Sequence, residues 1–366
     1  MNDLVEVADR FPCQTCGADM RFDPGHDRLN CDHCGATAPL ETGRAKLREM
    51  DFQAASTLGL GDADFAEQQA FSCENCGASV VFDADAHAME CPFCASPVVA
   101  DTSKSRQIKP RGLVPFALGE EQARDKMATW LGKLWFAPNG LAKYAKKGRR
   151  LRGVYVPFWT YDADTKSRYS GQRGTYYTVT QRVQVTVDGK TKWENREVQK
   201  IRWTNASGRV ARFFDDVLIL ASKSLPKEHT NALAPWDLSD LRNYGPSFMA
   251  GFEAQSYNVT LDDGYLEAQA YIARRIERDV RDSIGGDQQR IDSVNTRTSD
   301  VTFKHILLPV WVAAYKFRGK SFRFVVNGQN GNVSGERPYS VWKITFAILT
   351  VLVVALIIGA IVAANG

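Results

Sequence analysis

Three patterns of apolar and polar residues succeed one another along this chain. Over residues 120–134 and 264–284, apolar side chains recur every three or four positions, which predicts two amphipathic helices. Over residues 176–187 and 190–203 the period falls to two, which predicts two long strands joined by a hairpin. Residues 344–364 are apolar apart from two threonines, so this run has no polar face. The patterns indicate an α+β body followed by a segment unlike a soluble helix.

Local signals place the ends of these elements. Asp188 and Gly189 stand between the two long strands, and this pair is typical of a type I′ hairpin turn. Asp262 or Asp263 is placed to act as the N-cap of the second helix. Shorter elements are also predicted, namely a helix over residues 44–58 and strands over residues 217–221, 305–315 and 322–326.

The apolar run at residues 344–364 has the length of a membrane-spanning helix. Its 21 residues would rise about 30 Å, the thickness of the hydrocarbon core of a bilayer. Arg337 and Lys343 flank it on one side, so we expect a single-pass tail anchor in the inner (cytoplasmic) membrane, with the preceding residues in the cytoplasm. The acidic stretch at residues 1–10 shows no export signal. The alternative is a buried helix of a soluble core, which would normally show a polar face.

Charge divides the rest of the chain into two parts. Residues 1–100 hold 17 acidic and 6 basic side chains, whereas residues 101–366 hold 25 acidic and 40 basic ones. The net charges of −11 and +15 indicate two modules with different surfaces. All eight cysteines lie in the acidic module, and structural disulfides are not expected in a reducing cytoplasm.

The cysteines form two copies of one motif, 60 residues apart. In each copy two Cys-x-x-Cys pairs are separated by 14 residues. Two such knuckles place four thiolates around one ion, at about 2.3 Å for zinc, and leave no open position for water. We therefore predict two structural Zn²⁺ sites, with iron and a redox dithiol as the alternatives. The predicted ligands are Cys13, Cys16, Cys31 and Cys34 in the first site and Cys73, Cys76, Cys91 and Cys94 in the second.

The histidines near these sites are interpreted as surface residues, because each site already has four cysteines. They are His26, His33 and His87.

A possible repeat also occurs in the basic module. Pro157 and Trp159 in one strand are echoed by Pro309 and Trp311 in another, and each strand follows a helix and precedes a hairpin. We expect a duplicated α+β unit, with a sheet edge or a bulge at each proline. The predicted domains are a first zinc ribbon (residues 1–42), a helical linker (43–70), a second zinc ribbon (71–105), a mixed helix and antiparallel-sheet domain (106–338) and the anchor (339–366).

Motifs for catalysis are not found in the sequence. Two Gly-Lys-Thr/Ser endings occur, but the first glycine of a phosphate-binding loop is missing from both. The pair Asp215 and Asp216 is interpreted as a turn or cap, and His229 and His305 have no evident serine or cysteine partner. The sequence therefore predicts a protein that is not an enzyme.

A basic run precedes the first long strand. Residues 143–153 contain six basic side chains and no acidic one, a composition that suits phosphates of anionic lipid or, less well here, of nucleic acid. The alternative is a solvated loop. The candidate residues are Lys143, Lys146, Lys147, Arg149, Arg150 and Arg152.

Three stretches together resemble a known group of proteins. FSCENCGASVVF with CPFCASPVV, LRGVYVPFWTYDADTKSRYSGQRG, and LLPVWVAAYKFRGKSFRFVVNGQNGNVSGERPYS are similar to bacterial TFIIB-type zinc-ribbon membrane proteins, often labelled primosomal protein N′-like or superfamily II helicase-like. The resemblance implies paired zinc ribbons on a membrane-anchored body. It also implies partners among phage-shock-protein-A-like and flotillin-like (SPFH) membrane-stress proteins.

Two functional hypotheses follow. The first is a non-catalytic, tail-anchored adaptor whose zinc ribbons dock a partner protein at the cytoplasmic face of the membrane, in membrane stress or remodelling. The second is a membrane-tethered nucleic-acid-binding protein linked to replication, which uses the basic run.

Overall fold

The structure of the chain is a computed structural model. It describes residues 10–365 apart from residues 41–46, 58, 82–87, 95, 100–103, 137, 139–150, 188–189 and 318–319.

Within those residues the chain forms five α-helices and seventeen strands. The helices are α1 (Phe52–Thr57), α2 (Glu120–Gly132), α3 (Lys227–Asn231), α4 (Leu261–Ile284) and α5 (Val341–Asn365). The strands are β1 (Arg21–Phe22), β2 (Arg28–Asn30), β3 (Thr37–Pro39), β4 (Met50–Asp51), β5 (Phe65–Ser72), β6 (Ser79–Val81), β7 (Ala88–Glu90), β8 (Pro97–Val99), β9 (Lys104–Ile108), β10 (Gly112–Leu113), β11 (Arg152–Val187), β12 (Lys190–Leu220), β13 (Arg242–Asn243), β14 (Glu253–Gln255), β15 (Gln288–Phe317), β16 (Lys320–Asn327) and β17 (Val333–Gly335). Short 3₁₀ turns occupy Asp62–Asp64, Leu238–Asp240 and Pro246–Met249.

Strand β11 is the central strand of the main sheet. It pairs antiparallel with β12 on one side, from Phe158 to Val187, and with β15 on the other, from Arg152 to Gly174. Strand β16 then pairs with β15, so that two hairpins lie side by side through their first strands. The mixed helix and sheet composition of the body agrees with the predicted α+β class.

The predicted strands are confirmed as parts of longer ones. Residues 176–187 lie in β11, and residues 305–315 and 322–326 lie in β15 and β16. The separate strand predicted over residues 217–221 is wrong, because residues 190–220 form the single strand β12. The predicted turn at residues 188–189 lies outside the described residues.

Helix α4 covers one face of this sheet. Its buried side chains, including Ile272, Ile276 and Val280, pack against aromatic residues of β11 such as Trp159. Arg212 of β12 donates two hydrogen bonds to one carboxylate of the helix, at 2.5 and 2.7 Å. Helix α4 therefore buries the apolar stripe that predicted it.

The predicted N-cap of this helix is wrong. Helix α4 begins at Leu261, three residues earlier than its apolar period suggests, and Thr260 is the cap. The Oγ1 of Thr260 accepts a hydrogen bond from the Asp263 N–H at 3.1 Å. Asp262 and Asp263 lie in the first turn instead, where negative charge favours the helix N-terminus. Helix α2 agrees with its prediction except that it ends two residues earlier.

The predicted helix over residues 44–58 is also wrong where the structure describes it. Met50 and Asp51 pair with β15 as strand β4, and only Phe52–Thr57 is helical. The ring of Phe52 lies 4.3 Å from that of Tyr265 and packs against the sheet core. Tertiary contacts with the body therefore override the local helical spacing.

Pro157 and Pro309 lie inside the sheet, each at a point where the strand paired on one side is replaced by another strand. On one side of β11 the neighbouring strand changes from β14 to β12 at Pro157, and on one side of β15 it changes from β10 to β16 at Pro309. Their carbonyl groups accept hydrogen bonds from the N–H groups of Ala221 (3.0 Å) and Gly328 (2.8 Å) on those same sides. Each proline therefore lies at the gap between two successively paired strands, and not at the predicted edge or bulge. Because no strand is paired at that gap, the missing N–H of proline costs no hydrogen bond between strands.

Helix α5 is long and apolar enough to cross a membrane. Residues Val341–Ala363 have a mean hydropathy of 3.1, and none of this segment is buried against the rest of the chain. The predicted anchor therefore has one candidate span among the described residues. An unpacked helix of this composition is at odds with the alternative of a soluble core helix.

Gly264 tests the close packing of α4 on β11. A Cβ atom at this position would lie 2.6 Å from the Tyr161 Oη and 2.8 Å from the Trp159 ring. We expect Gly264→Ala to lower the free energy of unfolding by about 1–3 kcal/mol, despite the better helix propensity of alanine. Thermal unfolding of the full chain in detergent measures the effect.

Gly132→Ala is the matched control, because a Cβ atom at the end of α2 would meet nothing within 4 Å. It should leave stability unchanged or raise it by up to about 1 kcal/mol. Equal melting temperatures for both variants would contradict the packing described here.

Candidate metal centres

Three of the four Cys-x-x-Cys pairs are held in the same knuckle of backbone. In the first knuckle the Cys13 N–H donates to the Ala18 carbonyl and the Gly17 N–H donates to the Cys13 carbonyl, both at 2.8 Å. Gly17 has φ +75°, a conformation that glycine adopts without strain. The knuckles at Cys31 and Cys73 repeat these two bonds. These backbone hydrogen bonds close a tight turn that holds the two cysteines of a pair close together.

The eight cysteines come together in the two groups that the sequence predicts. In each group the four sulfur atoms lie within 4.8 Å of one another. In the first group the sulfur atoms of Cys13 and Cys34 are 3.6 Å apart, and those of Cys16 and Cys31 are 3.5 Å apart. The second group repeats these separations, at 3.5 and 3.6 Å. A tetrahedron with metal–sulfur bonds of about 2.3 Å has edges of about 3.8 Å, so both groups fit a bound metal ion.

Hydrogen bonds favour the thiolate form of some of these cysteines. The N–H groups of Thr15 and Cys16 lower the pKa of the Cys13 thiol to about 6. In the second group the hydrogen bond from Cys76 lowers the pKa of Cys91 to about 5. A site that already stabilises a negative sulfur is suited to a divalent cation. Zinc remains the predicted occupant of each group, and its chemistry there would be structural, since four protein ligands fill its coordination shell.

The first ribbon is part of the body of the protein. Its Phe22 ring lies 5.4 Å from Phe248, and the Gly25 N–H donates to the Phe116 carbonyl at 2.9 Å. Cys13 and Cys31 are buried in the same apolar cluster as Phe116. Loss of metal here would therefore disturb the core as well as the ribbon.

The second ribbon joins the sheet directly. Strand β6 pairs with β14, and the Asn258 side chain donates to the Gly77 carbonyl at 2.9 Å. Phe93, inside the fourth knuckle, is fully buried with Cys91 and Val154. Both cysteine groups thus lie where the N-terminal module packs on the α+β domain.

A third group of possible ligands is carboxylates around a lysine. Asp162, Asp215 and Asp216 lie close enough to hold a cation. The Lys304 ammonium already lies among them, at 2.8 Å from Asp216, 3.6 Å from Asp162 and 3.2 Å from Glu49. We interpret this group as an internal ion-pair cluster, because the ammonium supplies the positive charge that a metal would bring.

Bulges in the sheet create this cluster. Asp215 and Asp216 of β12 together oppose the single residue Asp162, and β15 has a similar irregularity beside Asp300. Asp216 and Asp300 have φ values of 50° and 52°, a left-handed conformation. The Asp216 N–H donates to the Asp162 carboxylate at 2.6 Å. The turn or cap predicted for Asp215 and Asp216 is therefore a bulge that aims one carboxylate at the lysine.

Sequence reasoning missed the partners of this cluster. Asp162 and Lys304 are the single charged residues of the apolar stretches VYVPFWTYDA and VTFKHILLPV, which is the signal that could have found them. Burial raises the pKa of Asp162 to about 6. Burial alone would lower the pKa of Lys304, but its hydrogen bond to Asp216 outweighs that and raises it. The lysine thus stays charged while Asp162 titrates near neutrality.

The two histidines considered for catalysis have different surroundings. His229 Nδ1 lies 3.0 Å from the Ser334 hydroxyl, so the sequence-based view that it lacks a serine partner is wrong. His305 is buried, its Nδ1 lies 2.7 Å from the Ile108 carbonyl oxygen, and burial lowers its pKa to about 4. His305 is therefore a neutral core residue.

Most of the predicted basic run lies outside the described residues. This holds for Lys143, Lys146, Lys147, Arg149 and Arg150. Arg152 is described: it donates to the Glu90 carbonyl at 2.9 Å and pairs with the Glu253 carboxylate at 3.3 Å. Arg152 therefore links β11 to β14 through its ion pair and to the second ribbon through its hydrogen bond.

Metal content tests the two cysteine groups. Cys91→Ser and Cys34→Ser should each reduce bound metal from two equivalents to one, because each removes one of four ligands from a different group. Elemental analysis of full chain purified without chelators measures this. His33→Gln is the control and should keep two equivalents, since His33 is exposed and interpreted as a non-ligand. Two equivalents in either cysteine variant would contradict the assignment.

Asp162 gives a prediction about pH. Its folded-state pKa of about 6 exceeds the ordinary value of 3.8, so the folded state holds the proton more tightly and ionisation of Asp162 costs stability as pH rises from about 4 to 6. Asp162→Asn removes that cost. The variant should match the wild type below pH 4 and exceed its free energy of unfolding by up to about 3 kcal/mol above pH 6.

The measurement is the difference between the two denaturant-unfolding curves at each pH, which cancels any metal loss common to both proteins. A difference that does not change between pH 4 and 7 would contradict the raised pKa.

Comparison with known proteins identifies a similar protein but does not assign the chain to a family. The chain is 24% identical over 245 residues to the uncharacterized protein YdjG of Bacillus subtilis (strain 168), a match that covers 66% of this chain and 67% of that protein. No family model matches the chain, and no solved structure matches it.

Proposed function

We propose that this chain is a non-catalytic, membrane-anchored zinc-ribbon adaptor that docks a partner protein at the cytoplasmic face of the membrane. The observation that carries the proposal is the projecting end of the β11–β12 hairpin. Beyond Gly174 no residue of β15 lies beside β11, and residues 175–202 pair only with one another among the described residues.

This hairpin end is long and carries exposed aromatic side chains. About 12 residues of each strand project, which spans about 40 Å. Trp193 is 61% exposed, and Tyr176 and Tyr177 are 38% and 37% exposed. A two-stranded hairpin is marginally stable in water, so a partner that covers it would gain binding area and order it further.

The sequence suggests that the zinc ribbons dock the partner, but in this proposal they have a structural role. Their knuckles are packed into the body, and residues such as Cys73 and Phe93 are buried there. We assign them to holding the N-terminal module on the sheet, and we assign docking to the hairpin. The predicted partners, SPFH or phage-shock-protein-A-like proteins, are the first to test.

The anchor begins beside the body. The Ser340 N–H donates to the Phe136 carbonyl at 2.8 Å, and the Lys343 ammonium donates to the Trp135 carbonyl at 3.0 Å. These bonds support a body held close to the membrane by α5. The basic residues Arg337 and Lys343 on that side support a cytoplasmic location for the body.

The predicted duplication is part of the proposal and has support from the strand registers. Strand β10 pairs in parallel with β15 at residues 306–307, and strand β14 pairs in parallel with β11 at residues 154–155. An offset of 152 residues relates these two positions, and the same offset separates Pro157 from Pro309. Each unit would then be strand, helix and hairpin, with its first strand added to the other unit.

Crosslinking in cells tests the docking role. The variant Tyr177→Ser with Trp193→Ser removes exposed apolar area from the hairpin, and Leu266→Ser with Tyr271→Ser removes similar area (64% and 50% exposed) from α4. We expect a membrane-associated partner, quantified by mass spectrometry after purification of the full chain, to fall at least tenfold only in the hairpin variant. Unchanged recovery of every crosslinked protein with the hairpin variant would end the docking proposal.

A further inference from the structure

The sheet has one face that is left open beyond its bulges. On the α4 side of β11 the alternate residues Thr165, Ser167 and Tyr169 are buried, whereas on the opposite side Lys166 and Arg168 are exposed. Three strands, β15, β11 and β12, contribute to this open face over residues 164–174 of β11. This open face is the side of the sheet opposite to helix α4.

Basic side chains stand directly opposite one another on this open face. Lys166 of β11 pairs in register with Arg297 of β15, and Arg168 pairs with Arg209 of β12. Like charges opposite one another on neighbouring strands destabilise a sheet. Within the described part of the chain, no carboxylate forms a salt bridge with any of these four residues, although Asp164 lies two residues from Lys166 on the same strand. An external anion would offset the repulsion among these exposed charges.

Aromatic side chains lie at both ends of the basic group. Phe213 of β12, opposite Asp164, is 58% exposed. Trp203 of the same strand lies over Gly174, where a Cβ atom would be 2.9 Å from its ring, and the Arg290 guanidinium lies 4.0 Å from the ring centroid. Ten residues of β12, about 33 Å, separate the two aromatic residues.

Neutral hydrogen-bonding side chains fill the rows between these features. Ser170 of β11 is opposite Ser207 and Ser293, and Gln172 is opposite Asn205. The Ser170 and Ser293 hydroxyls are 2.8 Å apart. The open face thus combines cations, aromatic rings and short polar groups on three neighbouring strands.

We propose that this open face binds single-stranded nucleic acid. Lys166, Arg168, Arg209 and Arg297 would contact phosphates, the exposed Phe213 would stack on a base, and the serine and amide rows would hydrogen-bond to sugars and base edges. The site is separate from the projecting hairpin end and goes beyond the adaptor function. An anionic bilayer fits less well, because the face presents polar rows where membrane insertion needs aliphatic side chains.

The open face is also distant from the anchor along strand β11. Strand β11 begins at Arg152, opposite Val312 of β15, next to the β16 residues that pack on α2 and lead to α5. Lys166 lies 14 residues further along, which is about 45 Å. Attraction to head groups falls off within a Debye length of about 8–10 Å, so the basic group is far from the point where the chain enters the bilayer.

The test uses the full chain in zwitterionic nanodiscs and a fluorescent oligothymidylate of about 20 nucleotides, followed by anisotropy over a range of salt concentrations. The variant Lys166→Gln, Arg168→Gln, Arg209→Gln should bind at least tenfold more weakly. Its slope of log affinity against log salt should be smaller in magnitude by about 2, since each lost phosphate contact removes about 0.7.

Lys192→Gln, Arg196→Gln, Lys200→Gln is the matched control. It removes the same charge from the other face of the β11–β12 hairpin, as the strand register shows. It should keep wild-type affinity and slope. Phe213→Ser should weaken binding with the salt slope unchanged, because stacking carries no counterion term.

Several results would overturn the proposal. They are no binding of the oligonucleotide by the wild type, equal losses in the two triple variants, equally effective competition by polyglutamate, or capture of phosphatidylglycerol vesicles without the oligonucleotide. The last two would assign the open face to acidic protein or to lipid. Circular dichroism and metal content verify the fold of each variant. If the triple variant fails to fold, Arg297→Gln alone must reduce both affinity and slope.

Discussion

The pairing of β11 with β15 is the constraint on which the rest of the structure depends. These two strands run side by side from Arg152 to Gly174, and the strands β4, β10, β12, β14 and β16 each pair with one of them. Helix α4 covers one face, the cysteine groups pack near the start of β11, and β12 and β16 extend the sheet on either side. Aliphatic residues such as Val154, Val156 and Leu308 are buried where both faces are covered, and this burial supplies the main stabilisation.

Both cysteine groups lie in apolar clusters that include residues of β11 and β15. A ribbon of about 30 residues buries too little apolar surface to fold alone, so metal binding supplies much of its folding free energy. Since the first ribbon packs on Phe116 and the second on Val154, bound metal would also hold in place the elements that cover the central strands. The lysine cluster extends the same arrangement: Glu49 of the linker accepts a hydrogen bond from Lys304 of β15, so an ion pair holds the chain between the two ribbons.

Some of this could be read from the sequence, and the reasons for the limits are physical. Cysteine spacing is sufficient to predict which cysteines come together, because a knuckle is a local structure. Its repetition 60 residues later makes a chance match improbable. Helix α4 was predictable from its apolar stripe, whereas its cap depended on Thr260, which the period alone does not reveal. The long strands were predicted too short because residues 164–172 are almost wholly polar, and only pairing on both sides makes them strand. The ion-pair cluster needed bulges on two partner strands, which no local pattern encodes.

The outer edge of β12 has a consequence for how the protein behaves in concentrated solution. Among the described residues β12 pairs with β11 alone, so a row of backbone donors and acceptors along its 31 residues faces outward. Such an edge is a template for another strand and a hazard for fibrous aggregation. Charged side chains recur along it, including Lys192, Arg196, Lys200 and Arg209, and their mutual repulsion between molecules opposes that association. Colloidal stability of the protein therefore depends on ionic strength, because added salt screens the repulsion that keeps these edges apart.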